Sequence, residues 1–424
     1  MLDIRLLREN PDAVRERLKA RGGDSWSLVD EALACDEKRR AGETERQRLQ
    51  GERNRLSKDI GIKKKNGEDT TAIETEVRGI GEDIKRIGEE ADAADERQRE
   101  LLLNIPNLPH PACPVGQDET ANPVVRTWGE KPQFSGFAPL DHVALGEKLG
   151  LFDFELAAKI SASGFIAFTG PGARLQRALI QFLLNLHTGA HGYREIYPPF
   201  IINRDCMIGT GQLPKFEDDM YGLEDGAFFL APTAEVPVTN LYRDTITRED
   251  ELPIKLTAYT PCFRREAGSA GRESRGMIRM HQFDKVELVQ IAHPERSFEQ
   301  LEQLTSEAEK VLQLLGLHYR VIELCTGDLG FSSSKTYDIE VWAPGHGAYL
   351  EVSSCSNFGD YQARRMKLRY KDEDGKNQFC HTLNGSGTAL PRLYVALIET
   401  YQQADGSIKL PEALHGLFGG ERIG

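Results

Sequence analysis

Two short segments carry the residue types best suited to chemistry. Phe263-Arg264-Arg265-Glu266 and Met280-His281-Gln282-Phe283-Asp284-Lys285-Val286-Glu287 flank a glycine-rich stretch, Gly268-Ser269-Ala270-Gly271-Arg272-Glu273-Ser274-Arg275-Gly276. Residues 254–263 and 277–291 have β-branched and aromatic side chains at strand-like spacing, which predicts an antiparallel pair. Side chains alternate between the faces of a strand, so Arg264 and Glu266 should share one face, and Phe283 and Glu287 one face of the partner. A cation, two carboxylates and a flat ring in one register suit an adenine nucleotide: guanidinium for phosphate, ring for base, carboxylate for ribose or an amine. The same pattern also describes a salt-bridged hairpin with a core phenylalanine, and spacing alone does not separate the two.

More of the chain bears on that choice. Segment 263–287 resembles motif 2 of the class II aminoacyl-tRNA synthetases, in the form F-R-x-E followed by R-G-x-I-R-x-H-Q-F-x-K-V-E found in seryl-tRNA synthetases. Gly209-Thr210-Gly211-Gln212-Leu213-Pro214-Lys215-Phe216, Thr233-Ala234-Glu235, Glu351-Val352-Ser353-Ser354-Cys355-Ser356-Asn357 and Asn384-Gly385-Ser386-Gly387 with Pro391-Arg392 are similar to that family, in its order. An amphipathic helix predicted over 172–190, with Leu175, Leu179, Phe182, Leu183 and Leu186 on one stripe, runs into Gly192-Tyr193-Arg194-Glu195-Ile196-Tyr197-Pro198-Pro199 and resembles motif 1. In that family the motif 1 helix and strand form a twofold interface, which implies a homodimer.

The resemblance implies a two-step reaction without an enzyme nucleophile. L-serine carboxylate attacks the α-phosphorus of ATP and pyrophosphate leaves; the 3′-terminal adenosine hydroxyl of tRNA(Ser), and of tRNA(Sec) where one exists, then attacks the seryl carbonyl. Catalysis would rest on alignment and on cations aimed at phosphate charge. The catalytic residues it implies are Arg264, on the α-phosphate and the serine carboxylate, and Arg392, on the γ-phosphate; both tasks suit a planar guanidinium. Phe283 would lie under adenine, Glu266 would receive the adenine amine or ribose, and Met280 would flank the base. Arg265, Val352 and Ser353 complete the ATP-binding set, although Arg265 fills the variable position of F-R-x-E and reads as a solvated loop arginine. Glu351 and Ser354 are the implied Mg²⁺ ligands, an oxygen-only set suited to a hard cation. Their odd spacing puts them on opposite strand faces unless a bulge or strand end lies near Ser353. The implied serine site is Thr233, Ala234, Glu235, Arg264, Glu287, Asn384 and Ser386. A site that hydrogen-bonds a hydroxyl rejects the analogue lacking it by about 10⁴–10⁵, which would exclude alanine.

The elements that must position these residues are also legible. Neither a G-x-x-x-x-G-K-[ST] loop nor a dinucleotide fingerprint is present, so side chains must hold the nucleotide. Hairpin turns such as Pro344-Gly345-His346-Gly347 predict an α+β fold for residues 121–424, an antiparallel sheet flanked by helices. A helix over 392–403 would carry Arg392 in its first turn, after Pro391. Upstream, Ile73, Val77, Ile80, Ile84, Ile87, Ala91, Ala94 and Leu101 step by four and three, a heptad seam broken by Gln98. The preceding helix has a thinner stripe (Leu28, Ala32, Cys35, Leu49, Leu56, Ile60), with Arg39, Arg46 and Arg53 stems able to cover the rest. Asn66-Gly67 turns one helix back on the other, predicting a two-helix antiparallel coiled-coil arm within residues 1–104. A short helix over Ile4, Leu6, Leu7 and Val14 should pack near its base, and the Pro-rich stretch 105–120 reads as a linker.

The net charge of −13 argues against a nucleic-acid ligand only in sum, because association is governed by local charge. The first arm helix carries Lys38, Arg39, Arg40, Arg46, Arg48, Arg53, Arg55, Lys58, Lys63, Lys64 and Lys65, while the second is acidic. By itself this describes a solvated coiled coil or a dimerisation arm; the resemblance implies a grip on the long variable stem of tRNA, with Arg46, Arg53 and Lys58 as candidate contacts. The seven cysteines show no C-x-x-C pair and no Cys/His cluster, so no zinc is expected, and the histidines read as packing or surface residues. No run of about 18 apolar residues and no targeting signal is visible, which predicts a cytoplasmic location and no membrane partner. A synthetase-like amino-acid:carrier-protein ligase would lack the arm and use a metal-centred pocket. A noncatalytic paralogue that binds RNA would have lost Arg264, Arg392, Glu351 or Ser354.

Overall fold

The computed structural model describes residues 1–267 and 276–424; the remainder of the predicted glycine-rich loop, residues 268–275, lies outside the described residues. The chain divides into two compact units, Met1–Pro106 and Asn107–Gly424.

The first unit opens with two helices, α1 (Ile4–Glu9) and α2 (Pro11–Lys19), where one was expected. The break falls at Asn10, because the ring of Pro11 disfavours helical backbone in the residue before it, and Asn10 sits at φ −137°, ψ 52°. The long helices α3 (Leu28–Lys65) and α4 (Thr71–Asn104) then run antiparallel. Gly67 closes their turn at φ 76°, a conformation open to glycine at little cost. At 1.5 Å per residue, α3 is about 57 Å long. Every predicted seam position of α4 from Ile73 to Leu101 is buried or half-buried, including Gln98, whose amide donates to the Ala32 carbonyl at 3.4 Å. The α3 stripe is indeed thin: Ala32, Leu49 and Leu56 are buried, and between them the helices touch through small residues and arginine stems. A Cβ on Gly42 would stand 3.0 Å from that of Ala91, and the Arg46 stem lies against Gly88. Each fully buried leucine of such a seam contributes about 1.5–3 kcal/mol.

The second unit is built on eight strands: β1 (Val124–Trp128), β2 (Arg194–Glu195), β3 (Ile254–Phe263), β4 (Gln282–Ala292), β5 (Tyr319–Glu323), β6 (Lys335–Ala343), β7 (Ala348–Asn357) and β8 (His381–Ala389). Their order is β1-β5-β6-β7-β8-β4-β3-β2, antiparallel throughout except for the parallel pair of β2 with β3. Helices α5 (Gly170–Gly189), α6 (Glu235–Asn240), α7 (Ser297–Leu314), α8 (Tyr361–Met366) and α9 (Leu390–Thr400) accompany the sheet. Leu179 and Leu183 of α5, Leu304 of α7 and Leu393 of α9 share one core cluster with Val286, Leu288 and Ile339 of the strands. The period of two along β4 therefore sends Val286 and Leu288 into that core and leaves Lys285 and Glu287 on the opposite face, where Phe283 belongs by alternation although its ring also packs against the cluster. The Pro-rich stretch is hydrogen-bonded into this unit from Asn107 onward: the Asn107 side-chain amide donates to the carbonyls of Ser332 and Phe358 at 2.9 and 2.7 Å. No helix among the described residues is long and apolar enough to cross a membrane.

Three sequence expectations fail at this level. The strand predicted over 277–291 begins at Gln282, because Gly276 takes φ 74° and residues 276–279 form a turn and bend. Arg264 and Glu266 do not share a strand face: β3 ends at Phe263, and Glu266 adopts φ 50°, which breaks the alternation. The helix carrying Arg392 runs from Leu390 to Thr400, not to 403.

Candidate active site

Two cavities meet above β4. The first, about 240 Å³, is lined by Arg264, Glu266, Met280, Phe283, Val352 and Arg392, together with the neighbouring turn. Arg264 is held there by its backbone, whose N–H donates to His281 O at 2.9 Å and whose carbonyl faces His281 Nδ1 at 3.1 Å. Its guanidinium carbon stands 5.3 Å from the Phe283 ring centroid, within cation–π range. Arg279, which sequence reasoning left without a role, pairs with Glu266 at 3.2 Å. Arg392 occupies the first turn of α9 and faces the cavity as expected. It donates to the Glu351 carbonyl at 2.9 Å and approaches the Glu351 carboxylate at 3.4 Å.

Not every predicted nucleotide residue comes together there. Arg265 is exposed and lines neither cavity; its backbone N–H is bound to Asp219 O at 2.9 Å. Ser353 is buried and its hydroxyl donates to Ser386 O at 2.6 Å, so its side chain is spent on the joint between β7 and β8.

The bulge expected near Ser353 is present. Opposite β6, Ser353 pairs with Ile339 but Glu351 pairs with Glu340, so the register slips at Val352. The slip turns two residues of odd spacing toward one cavity, and Glu351 and Ser354 both line it. Opposite Ser354 lies Asp338, whose Oδ1 is buried without a hydrogen-bond partner. Burial, and then the charge of Glu351, push the Asp338 carboxyl well above the usual range. A carboxylate and a hydroxyl, with the unpartnered Asp338 oxygen behind them, fit a hard divalent cation such as Mg²⁺. A magnesium ion held there would keep water and phosphate oxygens among its ligands; among the described residues no group of three or more His, Cys, Asp or Glu side chains is placed to hold a metal ion.

The second cavity gathers Thr233, Glu235, Glu287, Asn384 and Ser386 around Arg264. Thr233 donates its hydroxyl to Glu287 Oε2 at 2.9 Å, and Lys285 Nζ lies 2.5 Å from the same oxygen. Glu287 Oε1 is buried with no partner. Glu235 accepts from Gln362 at 2.6 Å and from Asn384 at 2.9 Å. Burial pushes its carboxyl from 4.5 up to about 7, against the Gln362 hydrogen bond. Ala234 is fully buried in a small cluster with Val238 and Leu256 and lines neither cavity. Gln362, on α8, and Asp338, on β6, have no local sequence signal, because their neighbours at the site come from distant segments. Lys285 did have one: it sits midway between Phe283 and Glu287 on the face that alternation assigns to both. Behind the site, buried His187 contacts Gly387 O at 2.7 Å, and burial lowers its ring to about 4.

Comparison with known proteins bears on this arrangement. Residues 1–109 match the seryl-tRNA synthetase N-terminal domain, and residues 216–401 match the tRNA synthetase class II core domain (G, H, P, S and T). The chain is 68% identical to the serine–tRNA ligase of Akkermansia muciniphila, over 100% of this chain and 99% of that one. Its identity to the serine–tRNA ligase of Pelotomaculum thermopropionicum is 54%, over the whole of both. Among solved structures it is similar to the seryl-tRNA synthetase from Pyrococcus horikoshii complexed with ATP, with a TM-score of 0.95 at 37% identity over 100% and 99% of the two chains.

Proposed function

The chain belongs to the seryl-tRNA synthetase family, an ATP-dependent serine–tRNA ligase, and from that premise we propose how its two cavities divide the work. The first takes ATP, with adenine against Phe283 and Met280, Glu266 on the amine or ribose, Arg264 on the α-phosphate and Arg392 on the γ-phosphate. The second takes L-serine: Thr233 and Glu235 receive the ammonium, Arg264 the carboxylate, and Glu287 with Asn384 and Ser386 the hydroxyl. Glu351 and Ser354 would hold Mg²⁺, which when bound offsets phosphate charge. The acceptors are tRNA(Ser) and, where one exists, tRNA(Sec), reached through the α3–α4 arm in a cytoplasmic homodimer. Tyr197 within the motif 1 segment and Ile201 just after it, 76% and 56% exposed, support a partner surface there.

The observation that carries the serine reading is Glu287 Oε1, a buried acceptor without a donor at the floor of a cavity sized for a small ligand. Leaving such a group unsatisfied costs about 1–3 kcal/mol, and a serine hydroxyl would satisfy it. ATP–pyrophosphate exchange, run with Mg²⁺ and each of the twenty amino acids separately, should therefore respond to serine alone. Glu287→Ala should abolish that response and leave ATP affinity within about threefold. A parallel loss of ATP affinity would remove Glu287 from the serine pocket.

Glu235 adds a pH dependence. Its folded-state pKa of about 7 lies above the ordinary 4.5, so between those values the folded chain holds a proton that the unfolded chain has lost. Stability contributed by this group thus falls as pH rises through that window. Serine binding runs the other way, because the ammonium prefers the ionised carboxylate. Serine affinity measured by calorimetry should rise about tenfold from pH 6 to pH 8 and level off above. Glu235→Gln should flatten the profile; an unchanged slope would take the ammonium away from Glu235.

A further inference from the structure

We infer that Lys285 is a catalytic residue of serine activation, a second cation beside Arg264 where the serine carboxylate meets the α-phosphate. The inference rests on the division of the two cavities proposed above. Carboxylate attack on phosphorus happens where the two ligands touch, so a group that borders both cavities faces the reacting atoms. Arg264, Lys285, Glu351 and Ser386 border both. Three of them already have a role; Lys285 does not, and with Arg264 it supplies the positive charge of that border.

Its surroundings make it a fixed charge. Lys285 lies in the middle of β4, opposite Thr260 of β3, with its side chain 7% exposed on the same face as Phe283 and Glu287. The approach to Glu287 Oε2 at 2.5 Å engages one of the three ammonium donors and anchors the head. A cation held this way needs no reorganisation when charge develops beside it, which is the condition under which electrostatic stabilisation is largest. In the step itself, a serine carboxylate oxygen bonds to the α-phosphorus. The bond from that phosphorus to the α,β-bridging oxygen breaks, and pyrophosphate departs with the electron pair. Lys285 transfers no proton; its N–H groups attract the negative charge on the α-phosphoryl oxygens and the incoming carboxylate.

A purely structural lysine would only neutralise Glu287 and shape the serine pocket. The two roles separate in single-turnover adenylate formation by the full-length protein with Mg²⁺, ATP and serine. Lys285→Met should lower the rate at saturating serine by about 10²–10³-fold. Because that change leaves Glu287 uncompensated, Lys285→Gln is the second variant: its amide can still donate to Glu287 but carries no charge, and a comparable loss is expected. Lys285→Arg, which restores charge, should recover at least about tenfold over Gln. A Lys285→Gln protein whose saturated rate equals wild type, with only the serine KM raised, would overturn the assignment alone. A wild-type protein that forms no adenylate with serine would overturn the cavity reading as well.

Discussion

Arg264→Ala should all but stop adenylate formation, lowering the single-turnover rate by about 10³-fold or more. Removing one preorganised donor from a charge-stabilising site costs about 10²–10³ in rate. Arg264 borders both cavities, so its loss removes alignment of the carboxylate as well as charge on the phosphate. Its backbone is fixed by His281, and its side chain makes only a long bond, 3.3 Å from Nε to Pro232 O, and the contact with the Phe283 ring, so the fold depends little on the side chain. The effect should therefore appear as lost chemistry in a protein with an unchanged melting temperature. Lys is a poor substitute, because a point charge cannot engage carboxylate and phosphate together as a planar fork does. Adenylate synthesis retained within about tenfold of wild type would remove Arg264 from the reacting groups.

The residues that sequence reasoning placed well are those whose position follows from period alone. Alternation along β4 puts Phe283 and Glu287 on one face, and the heptad steps of α4 identify its buried seam. The same logic, applied to Glu351 and Ser354, exposed a contradiction that only a bulge could resolve, and the slip at Val352 resolves it. Period fails where backbone leaves its regular wells. Glu266 at φ 50° ends the alternation assumed for the F-R-x-E segment, and Asn10 interrupts a helix whose apolar pattern continues across it. It is also silent about Ser353, whose hydroxyl is taken by a strand neighbour distant in sequence. Gln362 and Asp338 could not be found this way, since each matters through a residue far along the chain: Glu235 for the first, Glu351 and Ser354 for the second. Lys285, midway between Phe283 and Glu287, falls on the same face by the same alternation.

Shortening the arm should separate the two steps of the reaction. The cut belongs where the helices come close together, at Gly42 and Ala91, whose Cβ positions would stand 3.0 Å apart, so a short Gly/Ser turn can replace residues 43–90. Below that point the buried Asp36 keeps Arg39 at 3.1 Å and Arg40 at 3.0 Å, and Gln98 keeps the Ala32 carbonyl, so the stump retains its own hydrogen bonds. None of the removed residues belongs to the unit that contains the two cavities, Asn107–Gly424. Serine-dependent pyrophosphate exchange should accordingly stay within about twofold of wild type, since uniform removal of a remote element changes neither ground nor transition state of activation. Charging of tRNA should fall by at least about a hundredfold, because the segment carries Lys58 and Lys63 to Lys65, and every cation withdrawn from the phosphate backbone weakens binding and flattens its salt dependence. Within the segment, Lys58 is exposed, whereas Arg46 and Arg53 lie half-buried on the seam and serve the coiled coil first. Lys58→Ala should therefore lower tRNA affinity and its salt slope more than Arg53→Ala does, while Arg53→Ala lowers helix stability. Undiminished charging by the shortened protein would mean that the α3–α4 hairpin is not the surface that holds tRNA.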